Sequence, residues 1–570
     1  MEFTRSSAAC GSGSTSVFFS KLQKREQINQ LTSYIDASQV YGSNLDLAIS
    51  LRNLTNEMGR LREGLGYNYG KPLLPFNARH VIDCRRDPTQ SNIGCFLTGD
   101  VRANEQLGLI SMHTLWFREH NRLASQLRQL NPHWDGDKLY EEARKIVGAQ
   151  MQHITFKHWL PLIIGDRQIG PYSAYQPQVD ASISNVFAAS AFRFGHTLVK
   201  PVLRRLDAEL RPIPEGDLPL HQAFFAPWRI VQEGGIDPIL RGLFASPAKK
   251  NLPHQLMNSE LTEKLFGAVH AVALDLGALN IQRGRDHGLP PYVKWRLHCG
   301  LDPEEIGDWT ALGSAIESPS LVEKLRQLYG HPGNIDLWVG GLLERPKEGA
   351  RVGPTVQCLL MEQFKRLRDG DRFWYENPST FTKAQLDQIQ QSSLARIICD
   401  NGDDVRRVFS DVFQLNSSSV LIDCAEIGGM SLNPWHECQV DPTISRQQRV
   451  RRSSESEDDP SGERVEGLEV VIMKNKIEMS KMKRRLARIY KAMVNIASVV
   501  KRPVKDAVCI DFQGGIKSPN ETWIHQNRSN CARCICQVRL LSEKFHFKSN
   551  LVPFPLQNGQ ISCQKVVECQ

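Results

Sequence analysis

Apolar residues recur at helical spacing through much of the chain. The stretches EQLGLISMHTLWFREHNRLASQLRQL (105–130) and DGDKLYEEARKIVGAQMQHITFKHWLPLII (135–164) place apolar residues three and four positions apart, which predicts two amphipathic helices. Apolar–polar alternation at the period of a strand is scarce, and Pro and Gly mark short loops between the helical segments. We therefore predict a mainly α-helical domain over residues 1–438.

The pattern changes after this domain. Residues 439–462, QVDPTISRQQRVRRSSESEDDPSG, are polar and charged with few apolar positions, which predicts a disordered linker. Within it, RVRR (449–452) precedes Ser453 and resembles a furin-type cleavage site. A basic patch in a linker is the alternative interpretation.

A heptad pattern follows, and it predicts a coiled coil at 463–502. Its seam positions alternate in steps of three and four: Val465, Leu468, Ile472, Asn475, Met479, Met482, Leu486, Ile489, Met493, Ile496 and Val500. Homo-oligomerisation through 465–500 is therefore expected, as a dimer or a trimer. An amphipathic helix that packs on its own domain is the alternative.

The same segment is basic. Between Lys474 and Lys505 it has eleven Lys or Arg residues and one acidic residue, Glu478. A solvated face of a coiled coil explains this composition. Contact with nucleic acid is the alternative, because clustered cations release counterions from phosphates.

The composition is that of a globular protein, with 41% hydrophobic and 23% charged residues among 570 and a net charge of +8. No apolar run is long enough to span a membrane. Fourteen cysteines and the N-x-S/T sites at Asn53, Asn416, Asn520 and Asn527 are typical of secreted proteins. Because the N-terminus has no apolar signal core, we expect a truncated, cytoplasmic form of a protein whose longer relatives are extracellular or in the endoplasmic reticulum.

The tail at 503–570 holds Cys509, the run CARCIC (531–536), Cys563 and Cys569. Its C-x-x-C-x-C spacing resembles a von Willebrand factor C module, a small module held by disulfides. The match is partial, because the following cysteines depart from that pattern. A zinc site is the rival interpretation, although paired histidines at finger spacing are absent from the sequence.

Four stretches resemble the animal haem peroxidases, and within them the peroxidasin group. They are LTSYIDASQVYGS (31–43), GDVRANEQLGLISMHTLWFREHNRLA (99–124), AFRFGHTLVKP (191–201) and ALNIQRGRDHGLPPY (278–292). The resemblance implies a helical peroxidase domain that binds haem and calcium. It also implies three disulfides, Cys84–Cys95, Cys299–Cys358 and Cys399–Cys424, and leaves Cys10 and Cys438 without partners.

The resemblance assigns roles to individual residues. His196 matches the axial haem ligand, and Asn280 matches the residue that hydrogen-bonds its second ring nitrogen. Arg193 and Arg283 match residues that meet the haem propionates. Arg102 matches the catalytic distal arginine, and Glu105 matches the carboxylate that forms an ester with haem.

The resemblance also identifies two family features that this sequence does not match in full, the distal histidine segment and the calcium ligands. The family's distal histidine lies in a Q-x-x-D-H-D segment, and residues 1–30 contain no histidine. We therefore expect an inactive peroxidase, since this histidine takes the proton of the peroxide. Thr32, the Tyr34 carbonyl, Asp36 and Ser38 match a calcium loop that lacks its upstream carboxylate, so the calcium site is expected to be incomplete.

Three functions follow from these expectations. Truncated, haem-free relatives act as endoribonucleases that degrade translated messenger RNA, so the first expectation is a nuclease whose partners are messenger RNA and polysomes. Its catalytic residues stay unassigned. His113, His120, His153 and His158 are candidates by residue type alone, and packing is the alternative role. A residual haem oxidoreductase that uses hydrogen peroxide is the second function. A non-catalytic oligomerising partner of longer relatives is the third.

Overall fold

The computed structural model describes residues 3–19, 21–66, 70–78, 89–165, 169–252, 254–269, 271–416 and 419–437, and the backbone of five strands after residue 508. The linker predicted at 439–462 and the coiled coil predicted at 463–502 lie outside these residues. The chain divides into two compact units. One comprises residues 1–6 and 27–437, and the other comprises residues 7–26 and 438–570.

The first unit is mainly helical, as the sequence predicts. Its α-helices are α1 (Ser38–Tyr41), α2 (Leu45–Leu51), α3 (Leu107–Leu130), α4 (Gly136–His153), α5 (Leu160–Ile164), α6 (Asn185–Ala189), α7 (Trp228–Gln232), α8 (Asp237–Phe244), α9 (Ser259–Thr262), α10 (Leu276–Asp286), α11 (Tyr292–His298), α12 (Trp309–Leu312), α13 (Pro319–Tyr329), α14 (Leu337–Leu343), α15 (Pro354–Asp369), α16 (Lys383–Ile389) and α17 (Leu394–Asn401).

Helix α3 lies in the interior of this unit. It begins after Gln106, whose side chain accepts a hydrogen bond from the Gly108 amide at 2.6 Å. It packs against α4, α8 and α17. Polar side chains on it are buried as well, among them Glu119 and His120, both at 0% exposure. Burial on almost every side explains why charged residues of α3 need hydrogen-bond partners inside the protein.

The helix predicted at 135–164 is interrupted. Helix α4 ends at His153, a π-helical turn spans Ile154–Trp159, and α5 starts at Leu160. The Leu160 amide bonds the Thr155 carbonyl, five residues back. Pro161 lacks the amide hydrogen that a regular α-helix needs at its position, which accounts for the break.

Strands in the first unit are short. The antiparallel pair β1 (Val202–Leu203) and β2 (Leu218–Pro219) is followed by the pair β3 (Arg407–Phe409) and β4 (Leu421–Asp423). None of the described helices is long and apolar enough to cross a membrane.

The second unit has a 3₁₀ turn at Ser14–Phe19 and five strands. An antiparallel pair joins β5 (Cys509–Ile510) to β6 (Ile516–Lys517). A three-stranded antiparallel sheet consists of β7 (Thr522–Asn527), β8 (Asn530–Gln537) and β9 (Gln560–Lys565). The register pairs Cys534 with Cys563. Neither the C-type module nor the zinc site is tested by this backbone, and both stay predictions.

Disulfides confirm two of the predicted pairs. Cys299 bonds Cys358, and Cys399 bonds Cys424. Cys95 is disulfide-bonded, while its predicted partner Cys84 lies outside the described residues. The prediction that Cys10 lacks a partner is wrong, because Cys10 is disulfide-bonded. Cysteine spacing alone does not determine connectivity, which is why the sequence missed this bond.

Candidate functional site

A 3₁₀ helix at Ala191–Leu198 carries two of the predicted haem residues. It starts after Ser190, whose carbonyl accepts from the Arg193 amide at 3.0 Å. The buried side chains of Phe194 and Thr197 anchor it, and the Thr197 hydroxyl donates to the Phe194 carbonyl at 2.7 Å. Residues three apart share a face of a 3₁₀ helix, so Arg193 and His196 lie on one side.

Helix α10 supplies the residue that holds His196. The Asn280 side chain is fully buried, and its amide nitrogen lies 2.9 Å from Nδ1 of His196. Arg193 Nη1 donates to the amide oxygen of Asn280 at 2.9 Å. Because Arg193 engages the oxygen, the amide NH₂ group faces the imidazole. The Asn280–His196 contact that the resemblance predicts is therefore present.

The electrostatics of this cluster favour a neutral imidazole. Burial first and then the charge of Arg193 lower the pKa of His196 to about 4, although the Asn280 hydrogen bond opposes the shift. Burial and the charge of Arg283 likewise lower the pKa of Arg193 to about 10. Metal ligation requires a neutral imidazole with a lone pair on the ligating nitrogen. While the Asn280 NH₂ group donates to Nδ1, the proton of the neutral ring lies on Nε2, so ligation through Nε2 requires the Asn280 amide to turn and accept from Nδ1–H through its oxygen.

Arg283 lies beside this cluster and has partners of its own. Its Nη1 donates to the Asp286 carboxylate and the Ser6 hydroxyl, both at 3.0 Å. Arg5 also pairs with Asp286, at 2.6 Å. The N-terminal segment thus fixes the end of α10 and keeps the Arg283 guanidinium near that of Arg193.

These residues fit a haem group by the chemistry of their donors. The neutral imidazole is suited to iron, and the neighbouring guanidiniums of Arg193 and Arg283 are suited to two carboxylates. A Cβ atom added at Gly195 would meet no atom within 4 Å, so the backbone beside His196 borders open space.

Arg102 and Glu105 belong to a second group of side chains, on the 3₁₀ turn Val101–Glu105. Arg102 donates twice to Asp100, from Nε at 3.0 Å and from Nη2 at 2.6 Å. Its guanidinium is thus held by a carboxylate that the sequence analysis did not single out. The position of Asp100, two residues before Arg102 at the N-terminus of the turn, is the signal that could have revealed it. Burial raises the pKa of Glu105, and the charge of Arg102 opposes this shift.

Comparisons with known proteins identify the family. The model of the animal haem peroxidases matches residues 1–413. The chain belongs to this family. It is 47% identical to peroxidasin of Drosophila melanogaster over 95% of this chain and 39% of that protein. It is 56% identical to the human peroxidasin homolog over 77% of this chain and 30% of that protein. The chain therefore spans 30% to 39% of the length of these relatives.

A solved structure supports the same assignment. Peroxidase A of Dictyostelium discoideum matches with a TM-score of 0.62 and 31% identity, over 73% of this chain and 78% of that chain. The animal haem peroxidase fold therefore accounts for the helical unit, and the resemblance to the peroxidasin group is confirmed.

The loop that is predicted to bind calcium makes hydrogen bonds between its side chains and its own backbone. Thr32 Oγ1 accepts from the Tyr34 amide at 3.2 Å, and Asp36 Oδ1 accepts from the Ser38 amide at 3.0 Å. Ala37 between them has a φ of 60°, which gives the loop a tight turn. Among the described residues, no three His, Cys, Asp or Glu side chains form a metal-binding group. Calcium binding stays a prediction.

The four histidines that are nuclease candidates by residue type make contacts inside the peroxidase domain. His120 is fully buried, with Nδ1 2.8 Å from the Tyr41 hydroxyl and Nε2 3.0 Å from the Gly59 carbonyl oxygen. His113 lies 3.0 Å from the Gln39 carbonyl oxygen. His153 contacts the Tyr375 hydroxyl at 3.2 Å and the His158 ring at 5.2 Å between centroids. Burial lowers the pKa of His113, His120 and His153 to about 4 and also lowers that of His158.

Proposed function

We propose that this chain binds haem through His196 and acts as a peroxide-dependent oxidoreductase. The observation that carries the proposal is the chain of hydrogen bonds from Arg193 through the Asn280 amide to His196 Nδ1, each 2.9 Å long. Such a chain fixes the orientation of the imidazole, and with the Asn280 oxygen turned to accept from Nδ1–H it would leave Nε2 free to ligate a metal.

Each residue of the cluster has a task in this proposal. Bound haem would supply a redox-active iron. His196 would hold the iron through Nε2 once the Asn280 amide turns its oxygen toward Nδ1–H, and Asn280 would then keep the ring in one orientation. Arg193 and Arg283 would bind the propionate carboxylates by charge-assisted hydrogen bonds. Arg102 would stabilise negative charge on the peroxide once its guanidinium leaves the Asp100 carboxylate.

The loss of peroxidase competence that the sequence predicts is the opposite of this proposal and stays a prediction. The Q-x-x-D-H-D segment has no match in the sequence, and we derive no proton-transfer step for peroxide from the residues present. Cleavage of messenger RNA, association with polysomes and cytoplasmic localisation also stay predictions. Burial of the candidate histidines makes them poorly suited to acid–base catalysis near neutral pH. The coiled-coil partner function lies outside the described residues.

Haem reconstitution of the full chain tests the proposal. We expect a Soret band in the native chain and in the His298→Ala control, whose side chain is half exposed. His196→Ala should lose the band and bind haem at least about tenfold more weakly, since it removes the metal ligand. An unchanged band in His196→Ala would contradict the proposal.

The same preparations distinguish the predicted nuclease. Cleavage of a labelled messenger RNA is measured with haem-free native chain and with His196→Ala. Equal cleavage by both would support an endoribonuclease that does not need the haem site. No cleavage by either preparation would leave the oxidoreductase as the function that the site supports.

A further inference from the structure

A loop at 13–23 in the second unit exposes a group of apolar side chains. An antiparallel bridge between Gly13 and Gln23 closes the loop, and the 3₁₀ turn Ser14–Phe19 forms its first half. Four apolar side chains of the loop, called the apolar tip below, are 62% to 85% exposed: Val17, Phe18, Phe19 and Leu22. Single exposed apolar residues are ordinary on a protein surface, whereas a group of them marks an interaction site.

Two buried serines hold the base of this loop. Ser16 is fully buried, and its hydroxyl donates to the Gly13 carbonyl at 2.6 Å and accepts from the Gln23 amide at 3.0 Å. The Gly13 amide donates to the Gln23 carbonyl at 3.0 Å. The Ser12 hydroxyl accepts from the Glu26 amide at 3.1 Å. These bonds tie the two ends of the loop together and keep the apolar tip at its far end.

Gly11 fixes the position of one ring of the apolar tip. Its φ is 84°, and a Cβ atom there would lie 3.2 Å from Cε2 of Phe19, so the edge of the phenyl ring rests against the glycine. The neighbouring Cys10 is disulfide-bonded, which anchors the chain just before the loop. Because the loop is ordered before it meets a partner, binding requires little further loss of conformational entropy.

The second half of the loop and the residues after it are cationic. Residues 14–25 contain Lys21, Lys24 and Arg25 and have no Asp or Glu. The side chains of Lys21 and Lys24 are exposed. Apolar side chains with adjacent cations are complementary to a surface that has anionic groups above an apolar layer, which is the arrangement of a bilayer with anionic lipids.

The size and composition of the loop favour a bilayer over a protein partner. Four partly exposed side chains offer on the order of a few hundred Å². A stable protein interface buries roughly 800 Å² on each partner, and its centre is depleted of lysine. A bilayer surrounds an inserted loop on every side, and lysine stems can lie along apolar groups while the ammonium stays among the headgroups.

We propose that the loop at 13–23 inserts its apolar tip into the surface of a bilayer that contains anionic lipids. Lys21 and Lys24 contact the anionic headgroups, and the phenyl rings of Phe18 and Phe19 lie among the upper parts of the acyl chains. This attachment is peripheral, reaching roughly 5–10 Å into the bilayer. It uses none of the residues of the proposed haem site and does not rest on the proposed function.

Co-sedimentation of the full, haem-free chain with lipid vesicles tests the proposal. One set of vesicles consists of phosphatidylcholine with phosphatidylserine, and the other of phosphatidylcholine alone. We expect saturable binding to the first set, at least about tenfold tighter than to the second, because each lysine near an anionic surface adds to the affinity. Added salt should weaken this binding, since it screens the lysine charges.

Variants locate the binding surface. Phe18→Ser/Phe19→Ser removes apolar area without a change in charge and should weaken binding to the phosphatidylserine vesicles at least about tenfold. Lys21→Gln/Lys24→Gln should weaken it about tenfold and leave binding to pure phosphatidylcholine unchanged. Phe373→Ser is the matched control, because Phe373 is 67% exposed and lies beside Arg372 in the first unit. It should bind as the native chain does.

Tryptophan fluorescence separates insertion from attraction to the surface. In vesicles with brominated acyl chains, Phe18→Trp should lose more emission than Phe373→Trp, because bromine quenches only nearby indoles. Equal quenching in the two variants would overturn the insertion of the tip. The unfolding midpoint of every variant shows that it is folded. If Phe18→Ser/Phe19→Ser fails to fold, Phe18→Ser alone decides, since it keeps the contact of Phe19 with Gly11.

Three further results would overturn the proposal. The first is no binding of the native chain to phosphatidylserine vesicles. The second is binding that Phe18→Ser/Phe19→Ser leaves unchanged, which would assign it to another part of the chain, such as the basic segment at 474–505. The third is a smaller assembly of this variant than of the native chain in sedimentation velocity without vesicles, which would make the apolar tip an interface between copies.

Discussion

Two histidines of this chain share one electrostatic property and differ in their contacts. Burial lowers the pKa of both His120 and His196 to about 4, so both are neutral at physiological pH. Tyr41 and Gly59 engage both ring nitrogens of His120 in the core. Asn280 engages one nitrogen of His196, and the other makes no hydrogen bond to the described residues. The lowered pKa therefore does not distinguish a ligand, whereas a ring nitrogen without a partner among the described residues does.

The largest expected effect is a loss of folding stability at acidic pH, which the buried histidines cause. The pKa of His113, His120 and His153 is about 4 in the folded chain, against an ordinary value of 6.5. The unfolded chain binds more protons in this window, so stability falls as the pH drops from about 6.5 to about 4, by roughly 3 kcal/mol per histidine. Asp371 opposes this, because burial raises its pKa to about 6 and its folded form gains stability as the pH falls.

Urea unfolding between pH 7.5 and pH 4 measures this loss. His120→Gln should reduce the slope of the unfolding free energy against pH by about 1.4 kcal/mol per pH unit, the value for one proton. His298→Gln, on an exposed side chain, should keep the native slope. Equal slopes in all three proteins would show that the core histidines do not control acid stability.

The second prediction compares the free energy of unfolding that is lost when His120 or His196 is replaced by alanine. His120→Ala leaves a cavity and deprives the Tyr41 hydroxyl and the Gly59 carbonyl of their partner, so the free energy of unfolding should fall by about 3 kcal/mol. His196→Ala removes the partner of one buried group, the Asn280 amide, and should cost about 1–2 kcal/mol in the haem-free chain. Chemical denaturation at pH 7.5 measures both. If His196→Ala lost as much unfolding free energy as His120→Ala, the two histidines would contribute equally to folding stability, and the contrast between them would be wrong.

A smaller effect is expected for the residue that orients His196. Asn280→Ala removes the hydrogen bond to Nδ1 and should lower haem affinity about 10- to 100-fold, as loss of such a supporting partner does at metal sites. Haem titration followed at the Soret band measures the change. Gln282→Ala, on an exposed residue of the same helix, is the control. Native affinity in Asn280→Ala would mean that the ring is oriented by other contacts.

The sequence pattern predicts the long helices well and their interruptions poorly. The predicted helix at 105–130 is α3 (Leu107–Leu130), because its apolar spacing and Gln106 cap are local features. The π-helical turn after His153 forms because Pro161 has no amide hydrogen to donate. The apolar periodicity carries no information about this local change in hydrogen bonding.

The site shows the same division between local and distant features. His196 and Asn280 are 84 positions apart, and the resemblance to a family, rather than any periodicity, predicts that they meet. The pairing of Arg102 with Asp100 escaped prediction, because the motif identifies the arginine and says nothing about the direction of its side chain.

The smallest expected effect on stability tests the open side of His196. Gly195→Ala places a methyl group where no atom lies within 4 Å, and the backbone there is not in the left-handed region. The unfolding free energy of the haem-free chain should therefore change by less than about 0.5 kcal/mol. If the open space accommodates haem, the same methyl group should lower haem affinity severalfold. Gly307→Ala, which likewise meets no atom within 4 Å, is the control and should leave haem affinity unchanged. Native haem affinity in Gly195→Ala would mean that haem does not bind beside Gly195. His196 would then be a packing histidine, as His120 is.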